Sequence, residues 1–394
     1  VAQGRTMNWS SAAATAPLQR AGSRFSDTAA LFGNIEWLRF AAATAILLGH
    51  MAPHVWVAGG AEGGWLKAVW YLANAGPDVF FVISGTVIWT VTQHESGVRA
   101  ALRFIARRLA RIYIHYWLFL GLAAIQLWVW APYLLTRKDW LRSIWLWPQD
   151  IDTLAIPVTW ALTHVLVFYL LIACWVWLRR GGAGIRPLLL AALLVVLGNV
   201  YAIAVLDVYA PDKLTSASWW WRLWLSPYQL EFIGGCLLAR LLTRHKLPRP
   251  GLVMLTGGML IVLGGWLNAE LFDGRLISGY FTPQRVAIYA PGAVLLVAAC
   301  IGLQQSGRCF MPRLASTLGA ATYSLYLLHT IALSSLYWIG FRDAVAGSSG
   351  LLPAYLLVAA LLVVISVAYA RYVEDPLNRR LFGWIDEGID LTKR

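Results

Sequence analysis

Ten apolar runs, each about as long as a bilayer crossing, constrain this chain more than any other feature. They lie near 35–57, 73–94, 112–134, 157–178, 187–206, 223–243, 251–271, 285–304, 318–339 and 352–373. A hydrocarbon core of about 30 Å takes roughly 20 helical residues, and a helix satisfies its own backbone there. With 59% of 394 residues hydrophobic and only 13% charged, a soluble fold has nowhere to hide the apolar surface. The expected fold class is therefore an all-α integral membrane protein of ten transmembrane helices. The 22 Trp and 16 Tyr fit this, because amphipathic rings favour the membrane–water interfaces.

Lysine and arginine set the orientation. The N-terminal segment, the loops after runs 2, 4, 6 and 8, and the C-terminal segment hold 22 of the 32, and the five loops opposite hold 9. Basic loops stay on the cytoplasmic side, so both termini are expected there. The net charge of +13 reads the same way, as basic cytoplasmic loops in contact with membrane lipids and not as a nucleic-acid surface. Residues 1–30, rich in Ala, Ser, Thr and Arg, are expected to form a disordered cytoplasmic segment with no signal-peptide core. Residues 31–380 form the ten-helix membrane domain and 381–394 a cytoplasmic tail. Cys174, Cys236, Cys300 and Cys309 show no paired spacing, so packed thiols are expected, with no disulfide framework and no metal site.

The first run, EWLRFAAATAILLGHMAP, holds Arg39 and His50. Eleven residues are close to three helical turns, so the two side chains share one face about 16 Å apart along the axis. Ionisable groups inside a membrane are by default functional. The structural alternative is that Arg39 snorkels to headgroups while His50 bonds a neighbouring helix. Asp78, Ser84, His164, Glu231, Arg285 and His329 add polar groups at membrane depth on other runs. Several charges facing lipid are prohibitive, so these groups are expected to converge on an internal cavity. RFIARRLARIY supplies a basic stripe at Arg103, Arg107 and Arg111 with Arg108 alongside, suited either to lipid headgroups or to a phosphate-bearing ligand.

These segments carry a resemblance. RFAAATAILLGH, DVFFVISG, RRLARIY, WALTHVLVFY, LEFIGG, TYSLYLLH and VEDP stand in the order found in the membrane-bound acyltransferase family 3, and the similarity spans roughly residues 33–380. The resemblance implies a multi-pass protein of the bacterial inner membrane. It further implies an acyl-CoA donor, acetyl-CoA first, and an acceptor hydroxyl on an outer polysaccharide or other glycan. About 20 residues follow the last run, so no appended extracytoplasmic domain is expected. Three positions depart from the family pattern: Val165 stands where Glu is usual, no proline follows Arg111, and Pro77 precedes Asp78.

On this resemblance, Arg39, Arg107, Arg108 and Arg111 would hold the CoA phosphates. His50 would be the general base or, less favoured, a nucleophile. Asp78 would either orient His50 or bond a helix terminus or Arg285. Ser84, Trp160, His164, Glu231, Arg285, Tyr323 and His329 would line the substrate path, with close helix packing the alternative for Ser84 and an interhelical hydrogen bond the alternative for His329. Glu374, Asp375 and Pro376 would end the last span and pair with arginines. Trp145, Trp147 and Trp219 to Trp221 suit sugar stacking, with an interfacial belt the stronger alternative. A glycan or lipid-linked sugar transporter is the rival of another class, weakened because no pair of broken spans recurs in equivalent halves. Acylation of a small hydroxylated molecule or lipid is the rival among enzymes, and a homo-oligomer is compatible with either.

Overall fold

The computed structural model describes residues 24–58, 64–179, 184–205, 219–272, 282–346 and 350–391. Among these residues there is no strand. The helices run, in order, α1 Arg24–Ala58, α2 Gly64–Ala73, α3 Gly76–Thr92, α4 Val98–Trp130, α5 Trp140–Ile144, α6 Trp160–Leu178, α7 Arg186–Ala204 and α8 Trp219–Trp224. They continue as α9 Tyr228–Leu242, α10 Pro250–Phe272, α11 Pro283–Gln305, α12 Pro312–Ala320, α13 Thr322–Trp338, α14 Phe341–Ala346, α15 Leu351–Tyr369 and α16 Asp375–Leu391. A wide π turn over Ala370–Glu374 joins the last two.

All ten apolar runs are helical. Among the described residues seven stretches are long and apolar enough to cross a membrane, which makes this a multi-pass membrane fold. The three remaining runs fall on α1, α9 and α13, the helices that carry His50, Glu231 and His329. Of these, α9 has 15 residues and α13 has 17, short of a full crossing at 1.5 Å per residue. Glu36, Arg39, His50, Pro53 and His54 interrupt the apolar surface of α1. On α1 the polar groups of a prospective site thus weaken the hydropathy signal, whereas α9 and α13 fall short by length.

The expected disordered segment over 1–30 falls mainly on residues 1–23, which lie outside the described residues. The expected tail over 381–394 is helical as far as Leu391 within α16. The side chains of Trp219 to Trp221 also lie outside the described residues, whereas Trp145 and Trp147 are exposed.

α1 is the hub of the bundle, touching α2, α3, α11, α12, α13 and α15. Ala43, Leu47 and Met51 pack with Leu325, Leu333 and Tyr355 in one core, while Ile35 and Ala42 pack with Val79, Val82 and Val297 in another. α3 and α9 approach backbone to backbone: a Cβ on Gly85 would overlap the Phe232 carbonyl, and one on Gly235 would overlap that of Val82. Two single atoms thereby set the distance between two helices. On the outside, α7 exposes Leu189, Leu190, Leu193, Leu194 and Leu197, and α10 exposes Leu252, Leu255, Met259 and Val262. Apolar faces this continuous fit hydrocarbon and not water.

Candidate active site

Helical periodicity brings His50 and His329 together. His50 Nδ1 lies 2.9 Å from the Ile46 carbonyl oxygen and 3.3 Å from His329 Nε2, and His329 Nδ1 lies 3.1 Å from the Leu325 carbonyl oxygen. Both carbonyls belong to residues four positions earlier in the same helix. A carbonyl only accepts, so each Nδ1 carries the ring hydrogen. The His50 N–H is shared between Ile46 O and the lone pair of His329 Nε2, and the lone pair of His50 lies on its Nε2. The two ring centroids are 5.0 Å apart, and Trp70 packs edge-on against His50 at 5.8 Å.

Two cavities meet near this pair. The larger encloses about 1050 Å³ of empty space, including its mouth, and is lined by Arg39, Arg108 and Arg111 together with apolar side chains of α3, α4, α6 and α13. The smaller encloses about 550 Å³ and is lined by His50, Trp70, Asn74, Trp160 and Arg285 among others. Four helices follow both cavities in order. On α1, Arg39 lines the first and Ile46, Gly49 and His50 the second; on α6, Tyr169, Val165 and Leu162 line the first and Trp160 the second. On α3, Ile88, Ser84 and Phe80 line the first, and Pro77 lines both. On α13, Thr322 and Tyr323 line the first, and Tyr326 lines both. The cavities are therefore stacked end to end along the helix axes, arginines lining one end and His50 the other, while His329 lines neither and stands behind His50.

The arginines differ in their partners. Arg39 bonds Glu36 at 3.1 Å, and Arg111 lies 3.8 Å from Glu374. Arg108 sits over the Phe104 and Tyr169 rings, 5.6 and 5.7 Å from their centroids. Arg107 is not with them, since it pairs with Asp386 of α16 and stacks over Phe382. Arg103 does the same with Asp390 at 3.0 Å and Asp386 at 3.4 Å. One basic stripe is thus divided between a cavity and a docked helix, and Arg107 falls on the helix side.

Asp78 does not reach His50. Its carboxylate takes Arg285 Nη2 at 2.7 Å and Nε at 3.1 Å, and the same guanidinium donates to the Asn74 carbonyl. Both side chains are fully buried. Glu231 is buried in the same cluster, electrostatically coupled to Asp78 and Arg285, and Trp160 and Tyr228 stack near the guanidinium at 5.6 and 5.8 Å. The Pro77 that precedes Asp78 occupies the first turn of α3, where a missing N–H costs nothing. His164 lines neither cavity but is buried among Trp160, Tyr228 and Phe81. Its neighbour Val165, at the position where Glu is usual, faces the arginine cavity. Tyr323 also lines that cavity and donates its hydroxyl to the Ile112 carbonyl at 2.9 Å.

Three residues that sequence reasoning passed over, or marked only as a departure, complete the site. They are Tyr326, Pro77 and Trp70. A signal for Tyr326 was present, since Tyr323, Tyr326 and His329 recur every three residues along one face of α13. Among the described residues no group of three or more His, Cys, Asp or Glu side chains is arranged to hold a metal ion.

Comparison with known proteins agrees with this architecture. The profile of the acyltransferase domain (Acyl_transf_3) matches residues 32–371. The exopolysaccharide production protein ExoZ of Rhizobium meliloti (strain 1021) is 29% identical over 328 residues, covering 78% of this chain and 90% of ExoZ. No solved structure matches the chain. The matched span runs from residue 32, within α1, through α15, with both cavities inside it, and the chain belongs to the acyltransferase 3 family.

Proposed function

We propose that this protein is a membrane O-acyltransferase that moves an acyl group, acetyl first, from cytosolic acyl-CoA to a hydroxyl of a polysaccharide on the outer side of the bacterial inner membrane. In this reading residues 31–380 form a ten-span domain with both termini in the cytoplasm, so that the arginine cavity opens inward and the histidine cavity outward. The family membership supports acyl transfer, and the likeness to an exopolysaccharide production protein supports a polysaccharide acceptor.

Arg39, Arg108 and Arg111 hold the donor phosphates, since guanidinium forks suit phosphate oxygens. Arg107, held by Asp386, is left out of that clamp. The apolar length of the first cavity takes the pantetheine arm, and the axial distance of about 16 Å from Arg39 to His50 brings the thioester toward the histidines. His50 Nε2 takes the proton of the acceptor hydroxyl as its oxygen attacks the thioester carbonyl, and returns it to the CoA sulfur as the C–S bond breaks. The free lone pair on Nε2 makes a base the natural role. His329 accepts the His50 Nδ1 hydrogen and steadies the imidazolium, the part a carboxylate plays in a catalytic triad. Asp78 and Arg285 brace the wall of the histidine cavity.

The observation that carries this reading is the end-to-end pair of cavities, three arginines at one end and a tautomer-fixed histidine at the other. The test is CoA release by purified protein in liposomes, with acetyl-CoA and extracellular polysaccharide of the source cells. Wild type should release CoA, H50A should lose about 10²- to 10⁴-fold, and R39A should chiefly raise the donor concentration needed. Continued silence of the wild type with polysaccharide present would return the transporter reading.

A further inference from the structure

Among the described residues, the two cavities have only Pro77 and Tyr326 in common in their linings. Both side chains border the two cavities and so stand where one gives way to the other. Pro77 cannot swing aside, because its ring locks φ and it is built into the first turn of α3. Tyr326 is held at both ends. Its backbone belongs to α13, and its hydroxyl donates to the Val158 carbonyl at 2.5 Å. Between those anchors the ring packs edge-on against Phe80 at 6.5 Å and tilts beside His329 at 6.0 Å. The residue is 9% exposed, and the Val158 bond and the Phe80 contact hold its ring where it borders both cavities.

We propose that Tyr326, set against Pro77, is the partition between the two cavities and the residue that limits the donor to short acyl groups. This rests on the acyl-transfer reading above. The thioester carbonyl has to come within reach of His50, which lines only the second cavity, while the CoA phosphates stay with the arginines of the first. The acyl group is therefore the part of the donor that occupies the partition. Each added methylene must be packed against an anchored ring beside an immovable one, and close-packed interiors accept extra volume poorly. Removing the Tyr326 ring merges the cavities and gives a longer chain room.

The experiment compares acetyl-CoA with butyryl-CoA in wild type, Y326A, Y326L and Y326F, reading ester formed on extracellular polysaccharide of the source cells. The quantity of interest is the ratio of kcat/KM for butyryl over acetyl within each preparation, so the folded fraction cancels. The expected result is a wild-type ratio below about 0.1, since one methylene can be discriminated by roughly tenfold or more. The ratio should rise at least tenfold in Y326A and Y326L and stay near wild type in Y326F, which keeps the ring. An unchanged ratio in both Y326A and Y326L, with wild type active on acetyl-CoA, would overturn the partition while leaving acyl transfer intact. A wild type that uses butyryl as readily as acetyl would do the same. A wild type that transfers neither would overturn the acyl-transfer reading and the partition with it.

Discussion

His329 offers the sharpest quantitative handle on the proposed chemistry. In the resting pair, the His50 Nδ1 hydrogen is divided between Ile46 O at 2.9 Å and His329 Nε2 at 3.3 Å. When Nε2 of His50 takes a proton, that N–H becomes a charged donor, and its bonds strengthen accordingly. A hydrogen bond to a charged group contributes about 1.5–3 kcal/mol. The Ile46 carbonyl remains in H329A, so the loss should stay within that range and not approach loss of the base itself. At about 1.4 kcal/mol per factor of ten, kcat should fall about 10- to 150-fold, with the donor KM little changed because the arginines are untouched. Gln can present an acceptor oxygen toward His50, so H329Q should recover part of the loss. Because His329 acts through His50, the double variant H50A/H329A should be no slower than H50A alone. Steady-state CoA release in liposomes with saturating polysaccharide measures all four. A fall of less than threefold in H329A, or multiplicative losses in the double variant, would refute the tautomer argument.

Other expectations follow from the packing. D78N leaves the Arg285 guanidinium fully buried without its main partner, which should cost about 3–5 kcal/mol of stability. Glu231 stays in the cluster, so the value should lie near the lower end and rise in D78N/E231Q; thermal unfolding in detergent measures it, and an unchanged midpoint would contradict the assignment. G85A places a methyl on the Phe232 carbonyl and should lower the same midpoint by several degrees, whereas G121A, with nothing within 4 Å of its added carbon, should not. R108A should raise the donor KM about 10- to 100-fold, as loss of charge-assisted phosphate contacts does. R107A should leave that KM within about threefold of wild type and instead speed proteolysis within α16, whose Asp386 loses one of its two arginine partners.

Much of the fold is a consequence of the chain alone. Apolar runs of membrane length have one stable backbone option in helical form, so all ten emerge as helices, and the eleven-residue interval from Arg39 to His50 places both groups on one face before any neighbour is considered. Helix geometry assigns each residue a depth. It does not say which helix lies beside which, or which side of a helix a neighbour covers. Asp78 and His50 share a similar depth, yet Asp78 meets Arg285, because α3 is turned toward α11 and away from the histidines. Arg107 and Arg108 are adjacent in sequence and about 100° apart around α4. One is taken by the acidic face of α16 and the other faces the cavity. His164 and Val165 divide in the same way between an aromatic core and the arginine cavity. The sequence places His329 at membrane depth and allows it an interhelical hydrogen bond, but its contact with His50 in particular depends on α13 packing against α1 through Leu325 and Leu333. Axial position is local, set by 1.5 Å per residue, and was therefore legible in the sequence. The pairing of helix faces depends on the summed fit of many distant side chains, down to single glycines such as Gly85, and only the folded bundle decides it.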